Sequence, residues 1–234
     1  MPGPSQAEMR RLFEAHPLFG QLPRDDLDAL LTHARVEHYP AGRLIFAKGS
    51  PGRSMMAILR GNVRISAPST AGREVVLSIL YPGEVFGEIA LLDGLERTAD
   101  ATATADCDLV VLDHRDFIPF LQRRADLCIL LLKVLCRRLR QTDEQVEDAF
   151  FEPLDRRVAK VLIRLARNAG PPQPSTDAGP DAALRISQQE LAGMAGATRE
   201  SVNKQLHVWQ RSGVVRLGKR EIVIPRLDAI EELI

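Results

Sequence analysis

The chain contains 234 residues, enough for one large or two ordinary domains, and its 45% share of hydrophobic residues is normal for a soluble globular protein. No apolar stretch is long enough to cross a membrane and no N-terminal run is typical of a signal peptide, so we expect a cytoplasmic protein. The formal charge is zero, but from Asp155 onward 13 basic residues face 9 acidic ones. This excess predicts a polyanionic partner for the C-terminal part.

The first part of the chain predicts two helices, over residues 6–14 and 25–34, and then strands from residue 36 to residue 113. The strands are short apolar runs separated by glycine or proline turns, namely 44–46, 55–59, 63–65, 75–80 and 109–112. Many short strands at such spacing indicate a sandwich or jelly roll.

The stretch from Phe86 to Leu91 combines groups that suit an anion and a sugar. Gly87 allows a short helix to begin, and backbone N–H groups at a helix start favour an anion. The guanidinium of Arg97 supplies several hydrogen-bond donors for a phosphate. The carboxylate of Glu88 repels a phosphate but can accept a hydrogen bond from a sugar hydroxyl. We expect Arg97 to face a ligand cavity. The alternative is an ordinary turn whose Glu88 and Arg97 form a surface ion pair.

A long helix is predicted from residue 116 or 119 to residue 150. Its seam recurs at intervals of three and four residues and consists of Leu132, Leu135, Leu139, Thr142, Val146 and Ala149. A seam of this kind over residues 132–149 is typical of two helices packed as a coiled coil, so we predict a parallel homodimer. The alternative is a single helix that lies on its own domain.

Glu152-Pro153 ends this helix and marks a boundary between domains over residues 1–150 and 151–234. A helix is expected over residues 156–168, followed by a proline-rich loop over residues 170–181. Three cysteines, Cys107, Cys128 and Cys136, form no close metal-ligand pair. We expect buried thiols in a reducing cytosol, without a metal or a cofactor.

Two short helices joined by a turn of small residues follow the loop. Ser187 and Glu190 form a capping box, Gly196 ends the first helix, and Thr198 caps the second. The inner face of the second helix contains Val202, Leu206 and Trp209. Its exposed face contains Arg199, Glu200, Asn203, Lys204 and His207. This pattern predicts a helix-turn-helix whose exposed face can reach base edges in a major groove.

A hairpin over residues 214–224 is predicted after the second helix, with a turn at Gly218-Lys219. Its basic tip would touch DNA phosphate beside the helix, as a wing does. The alternative is an ordinary charged turn.

The motif Gly87-Glu88-Ile89-Ala90, followed by Arg97-Thr98-Ala99, is similar to the phosphate-binding cassette of cyclic-nucleotide-binding domains. The run from Thr198 to Lys204 resembles the recognition helix of the catabolite activator, or cyclic AMP receptor protein, branch of the Crp–Fnr transcription regulators. The resemblance covers nearly the whole chain. It implies an α+β fold with an N-terminal β-roll, a long dimerisation helix and a C-terminal winged helix-turn-helix domain.

The resemblance also implies a cyclic nucleotide as effector, bound between the β-roll and the dimer helix. The backbone N–H groups of Gly87 and Ala90 would bind the cyclic phosphate together with Arg97, Glu88 would bind the ribose 2′-hydroxyl, and Ile89 is expected in the same site.

Thr142 and Asp143 fall on the positions that contact the base in this family, where Thr followed by Ser is common. Asp143 departs from that pattern, and Thr98 is the residue type found in guanosine-selective members of the wider superfamily. We therefore expect cyclic AMP to bind and cyclic GMP to be tolerated. The alternative is a response to cyclic AMP alone.

The base-reading positions of the family fall on Arg199, Glu200 and Lys204. Its phosphate contacts fall on Gln188, Gln189, Thr198, Ser201 and Lys219. These positions imply double-stranded DNA with a palindromic site as the partner, and contact with RNA polymerase is implied by the family alone.

The sequence is thus interpreted as a homodimeric, cyclic-nucleotide-responsive transcription regulator. A rival from another class is an enzyme of nucleotide metabolism, which would need a catalytic base, a nucleophile or a metal cluster near the cassette; the sequence shows none. A second rival is a Crp–Fnr-type regulator that binds DNA without a ligand or answers to another effector.

Overall fold

The computed structural model describes residues 6–15, 19–20, 22–68, 74–168, 182–218 and 221–234. The chain divides into two compact units, Met1–Arg140 and Gln141–Ile234. The border between them falls within one continuous helix, Ala125–Phe151. The domain limit at residue 150 therefore stays a prediction, because it depends on where this helix is divided.

The first unit is built on two antiparallel four-stranded sheets. The strands are β1 Arg35–Tyr39, β2 Leu44–Phe46, β3 Ser54–Arg60, β4 Val63–Pro68, β5 Glu74–Leu80, β6 Val85–Phe86, β7 Asp100–Ala103 and β8 Cys107–Asp113. One sheet has the order β1-β8-β3-β6 and the other β2-β7-β4-β5. The predicted β-roll is confirmed, with three additional strands, β1, β6 and β7, that the apolar runs did not reveal.

Strand β3 is apolar from Met55 to Leu59, and both of its faces are buried over this run. Met56 and Ile58 enter a core shared with the second sheet. Met55, Ala57 and Leu59 point the other way, into a core shared with the helices. Since successive side chains of a strand alternate between faces, a sheet covered on both sides needs such an uninterrupted run.

The helices of this unit are α1 Gln6–Ala15, α2 Arg24–Thr32, α3 Glu88–Asp93, α4 His114–Gln122 and α5 Ala125–Phe151. The prediction of one helix from residue 116 or 119 is wrong, because the chain turns between α4 and α5. Leu121 and Leu127 both enter the helix-covered core. Six residues apart on one straight helix, they would point about 120° away from each other, so a change of direction is required. Arg124 stabilises the turn by pairing with Asp126 and Asp26.

Helix α5 buries Leu127 and Leu131 near its start and leaves a row of large apolar side chains exposed beyond them. The exposed residues are Ile129, Leu132, Leu139, Val146, Phe150 and Phe151. Three of them belong to the predicted seam. Cys136, on the same helix, is also exposed, so the expectation of buried thiols is wrong there, whereas Cys107 is buried and Cys128 partly buried.

The second unit contains three further strands and four further helices among the residues that the structure describes. They are α6 Leu154–Asn168, β9 Ala182–Leu184, α7 Gln188–Met194, α8 Arg199–Arg211, β10 Arg216–Leu217, β11 Ile222–Ile224 and α9 Leu227–Glu231. The strands form an antiparallel sheet in the order β10-β11-β9. The winged helix-turn-helix is confirmed, and β9 adds a third strand that the sequence pattern missed.

The start of α7 is fixed by the predicted capping box. The Ser187 hydroxyl accepts a hydrogen bond from the Glu190 backbone N–H, and the Glu190 carboxylate accepts one from the Ser187 backbone N–H at 2.9 Å. Gly196 takes the left-handed conformation in the turn, with φ of 60°. The capping box thus fixes where α7 begins, and Gly196 allows the chain to turn towards α8.

Ser187→Ala should lower the free energy of unfolding by about 1 kcal/mol, because an N-cap hydroxyl is lost. Ser212→Ala is the matched control, since that hydroxyl only donates to carbonyls within α8. Urea denaturation followed by circular dichroism measures both. Equal stability of the two variants would contradict the role of the cap.

Candidate functional site

The turn between β6 and α3 depends on a glycine at position 87. Gly87 has φ of 79° and ψ of 4°, the left-handed region that side chains with a Cβ rarely adopt. A Cβ at this position would lie 2.6 Å from Nη1 of Arg97 and 3.2 Å from the Ser54 carbonyl oxygen. Gly87 is therefore needed both for the backbone and for the space that Arg97 occupies.

Arg97 is buried beneath this turn rather than facing an open cavity, so that expectation is wrong. Only 5% of the residue is exposed. Its guanidinium donates to the carbonyl oxygens of Gly87 at 2.7 Å and Ser54 at 2.8 Å, and lies 4.2 Å from the centre of the Phe46 ring. Burial lowers the pKa of Arg97, and the charge of Glu88 opposes this effect.

Glu88 is completely buried at the start of α3. One carboxylate oxygen, Oε1, accepts a hydrogen bond from Arg138 on α5, which also donates to the Val85 carbonyl oxygen. The other, Oε2, has no hydrogen-bond partner among the residues that the structure describes. The alternative of a surface ion pair between Glu88 and Arg97 is wrong, because both side chains are inside.

Arg138 is the contributor to this site that sequence reasoning missed. It is one of three arginines close together on α5, with Arg137 and Arg140, and no sequence pattern separates them. In the structure, Arg138 is identified by its ion pair with Glu88, and its side chain is 30% exposed.

The remaining cassette residues differ in their surroundings. Ala90 is buried against Gly52, where an added Cβ would lie 2.1 Å from the Ala90 Cβ. Ile89 and Thr98 are exposed beside the turn. Position 52 therefore accommodates only glycine while Ala90 keeps its place.

Thr142 and Asp143 lie on α5 and are exposed, in the part of the helix that belongs to the second unit. The cassette belongs to the first unit. The role of Thr142 and Asp143 as base contacts therefore stays a prediction.

The second unit presents the predicted DNA-reading residues on α8. Arg199, Glu200 and Lys204 are exposed, and Lys204 Nζ lies 2.8 Å from Glu200 Oε1. This hydrogen bond lowers the pKa of Glu200 and raises that of Lys204. The pair is almost fully solvated, so it contributes little to stability and leaves both side chains available.

Asn203 differs from the prediction that it belongs to the exposed face. Its Oδ1 atom is buried and has no hydrogen-bond partner among the described residues. The residue as a whole is partly buried, so Asn203 is less exposed than Arg199, Glu200 and Lys204 on the same helix.

The predicted phosphate contacts lie at the starts of α7 and α8. Gln189 is exposed and Gln188 partly buried in the first turn of α7. The Thr198 hydroxyl accepts a hydrogen bond from the Ser201 N–H at 3.2 Å, so it caps α8 while lying at the surface. Lys219 lies outside the described residues.

Both parts of the chain match known families. Residues 36–124 match the cyclic nucleotide-binding domain and residues 156–233 the Crp-like helix-turn-helix domain. The chain is 35% identical to the cyclic AMP receptor protein of Thermus thermophilus, over 93% of this chain and 96% of that protein. The chain belongs to the Crp–Fnr superfamily of transcription regulators.

Other Crp–Fnr relatives agree in sequence or in fold. A CRP-like cAMP-activated global transcriptional regulator of Mycobacterium tuberculosis is 34% identical over 84% of this chain and 86% of its own. The crystal structure of the Thermus thermophilus catabolite activator protein is 34% identical, with a TM-score of 0.53 over 93% of this chain and 97% of that chain. The c-di-GMP responsive regulator CLP of Xanthomonas campestris has a TM-score of 0.74 at 22% identity, covering 87% of this chain and 100% of its own, and therefore shares the fold alone.

This Crp–Fnr regulator is thus a DNA-binding protein with a cyclic-nucleotide-binding domain, and its family consists of transcription regulators rather than enzymes. Within the described ranges, no helix combines the length and the apolar composition that crossing a bilayer requires.

Gly87→Ala should abolish nucleotide binding, because the new Cβ displaces the Arg97 guanidinium. Gly94, at the other end of α3, has a similar φ of 73° and open space around it. Gly94→Ala therefore measures only the loss of stability from a left-handed backbone with a Cβ, about 1–2 kcal/mol. Calorimetric titration with cyclic AMP compares the two variants. Nucleotide binding by Gly87→Ala as tight as by Gly94→Ala would contradict this account of the turn.

Proposed function

We propose that this protein is a homodimeric regulator whose affinity for a palindromic DNA site is controlled by cyclic AMP. The observation that carries the proposal is the buried Glu88 carboxylate, one oxygen of which has no described hydrogen-bond partner. A buried acceptor without a partner costs free energy, and a ribose hydroxyl would satisfy it. Arg97 lies near enough for the charge of Glu88 to act on its pKa.

Cyclic AMP is favoured as the effector by the relatives at the level of sequence. The two relatives with 35% and 34% identity are named for cyclic AMP. A fold relative at 22% identity is named for c-di-GMP, so the fold by itself selects no nucleotide. The cassette residues Glu88 and Arg97 supply acceptor and donor groups that match a ribose and a phosphate.

The homodimer is supported by the exposed row on α5. Leu132, Leu139 and Val146 are each at least half exposed on the single chain. They recur at intervals of seven residues, the spacing that brings side chains to one seam of a coiled coil. A second copy of α5 would remove this apolar surface from water.

A dimer of this kind presents two copies of α8 to DNA. Helix-turn-helix dimers bind half-sites about 34 Å apart, one turn of the double helix. We therefore propose a palindromic operator, with Arg199, Glu200 and Lys204 of each subunit at the base edges. The rival is a regulator that binds DNA equally well without nucleotide, and DNA affinity measured with and without cyclic AMP separates the two.

Arg97→Ala should remove most cyclic AMP affinity, because a charge-assisted contact with the phosphate is lost. It should also lower the free energy of unfolding by about 1–3 kcal/mol, since the carbonyl groups of Gly87 and Ser54 lose their donor. Calorimetry and urea denaturation measure the two effects. Arg43→Ala removes an exposed arginine of the same domain and is the control. Unchanged nucleotide binding by Arg97→Ala would overturn the assignment.

Arg199→Ala should weaken operator binding by about 1–3 kcal/mol and relax specificity at one base pair. Lys219→Ala should weaken binding to all sequences equally and lower the slope of the salt dependence by about 1. Titrations with the operator and with single-base variants at several salt concentrations distinguish the roles. An equal loss of specificity in both variants would refute the division between base and phosphate contacts.

Asp143→Ser should weaken cyclic GMP binding and leave cyclic AMP binding nearly unchanged. A carboxylate accepts hydrogen bonds, and guanine offers adjacent N1–H and N2–H donors, whereas the Thr142 hydroxyl can serve either base. Titration of both nucleotides into wild type and variant provides the comparison. The proposal of cyclic GMP tolerance fails if wild type binds cyclic GMP no better than the variant does.

A further inference from the structure

Two residues of opposite charge flank the apolar row of the continuous helix α5. In a seven-residue repeat written a to g, with Leu132 and Leu139 at position a, Arg138 falls on g and Asp143 on e of the next repeat. In a parallel two-stranded coiled coil, a g residue of one helix lies beside the e residue of the next repeat on the other helix. A second copy of α5 would therefore bring its own Asp143 beside Arg138.

The apolar row by itself does not determine which helix binds it or in which direction. The other g–e combinations along α5 are Leu131 with Cys136 and Gln145 with Phe150, and neither of them joins opposite charges. Charged residues at e and g set the partner and the orientation of a coiled coil. Reversing one helix would place g opposite g and e opposite e, so that like charges would meet.

Arg138 is already held in place within the single chain. Its guanidinium donates to the Glu88 carboxylate and to the Val85 carbonyl oxygen. The side chain remains 30% exposed, and a guanidinium can serve several acceptors at once because it has five N–H donors. Since little rotamer freedom is left to lose, a further acceptor binds at a smaller cost in conformational entropy.

The carboxylate of Asp143 is available to a cationic partner. The residue is exposed, and within the described ranges it makes no hydrogen bond or ion pair. Arg140 lies three residues before it on the same helix, a spacing at which opposite charges can pair. The structure nevertheless joins these two side chains by no contact in the part of the chain that it describes.

We propose that Arg138 forms an ion pair with Asp143 of the partner subunit, once on each side of a parallel coiled coil. The pair commits the exposed row of α5 to a second copy of this chain. One carboxylate oxygen suffices for it, so the other can make the base contact proposed above. The inference rests on the homodimer of the proposed function but not on its effector, because neither side chain needs a nucleotide to reach the other.

Zero-length cross-linking of the full-length protein tests whether the two positions meet. Arg138→Lys supplies an amine that a carbodiimide can join to the carboxylate of Asp143 of the partner subunit. Mixed dimers of isotope-labelled and unlabelled chains identify links between subunits by mass spectrometry. Arg137→Lys is the matched control, because position 137 is exposed and lies on the side of the helix away from the seam. We expect the link from position 138 only.

Dimer affinity provides a second measurement that keeps Arg138 intact. Asp143→Asn should raise the dimer dissociation constant about fivefold at low salt, because two ion pairs at the edge of the interface are lost. The difference should disappear at about 1 M salt, where charges are screened over about 3 Å. Glu144→Gln removes a neighbouring charge from the far side of the helix and should leave the constant unchanged. Sedimentation of dilution series without nucleotide compares the three proteins.

Two further variants separate the ion pair from a general effect of charge. Asp143→Lys places a cation beside Arg138 and should raise the dissociation constant more than Asp143→Asn does. In Arg138→Gln, the additional change Asp143→Asn should have no further effect, because the pair is already broken.

The outcomes distinguish this inference from the proposed function. Equal dissociation constants for wild type, Asp143→Asn and Asp143→Lys would overturn the ion pair and leave the homodimer valid. A link to Asp143 from position 137 as frequent as from position 138 would contradict the parallel register. A wild type that sediments as a monomer would refute the proposed homodimer and the ion pair together.

Discussion

The nucleotide-binding unit depends on one constraint, which is that two opposite charges are buried beneath the same turn. These charges belong to Glu88 and Arg97. A buried charge is tolerated only with partners that replace water. Arg97 obtains them from two carbonyl oxygens and the Phe46 ring. The turn must therefore direct carbonyl groups inward, and Gly87 permits this. Glu88 obtains its partner from α5, through Arg138.

This arrangement engages the charged groups of the site with protein partners, since Arg97 binds backbone carbonyl groups and Glu88 binds Arg138. The phosphate of the proposed nucleotide would compete with these carbonyl groups for Arg97, whereas the ribose hydroxyl would donate to Glu88 Oε2, which no described residue satisfies. Glu88 would then bind the ribose with one carboxylate oxygen and Arg138 of α5 with the other, so the proposed ligand site and the long helix share this residue.

The sequence predicted the features that follow from local pattern. The continuous apolar run of β3, the capping box at Ser187 and the helix-turn-helix all depend on neighbouring residues, and each was confirmed. The turn between α4 and α5 was not predicted. It allows Leu121 and Leu127 to enter the same core, and this requirement depends on tertiary packing rather than on local pattern. The pairing of Arg138 with Glu88 joins residues far apart in the chain, which no spacing rule reveals. The inward position of Arg97 was missed for the same reason, since Ser54 and Phe46 are remote in sequence.

The order of strands in the first sheet also affects how the chain folds during its synthesis on the ribosome. Strand β8 lies between β1 and β3, and Arg35 pairs with Val111. During synthesis, the apolar strand β3 leaves the ribosome long before the neighbour that covers it. Such pairing between distant segments slows folding and leaves exposed apolar strands open to aggregation. A nascent chain that stops before residue 113 should consequently depend on chaperones, whereas one that continues past it can close the sheet.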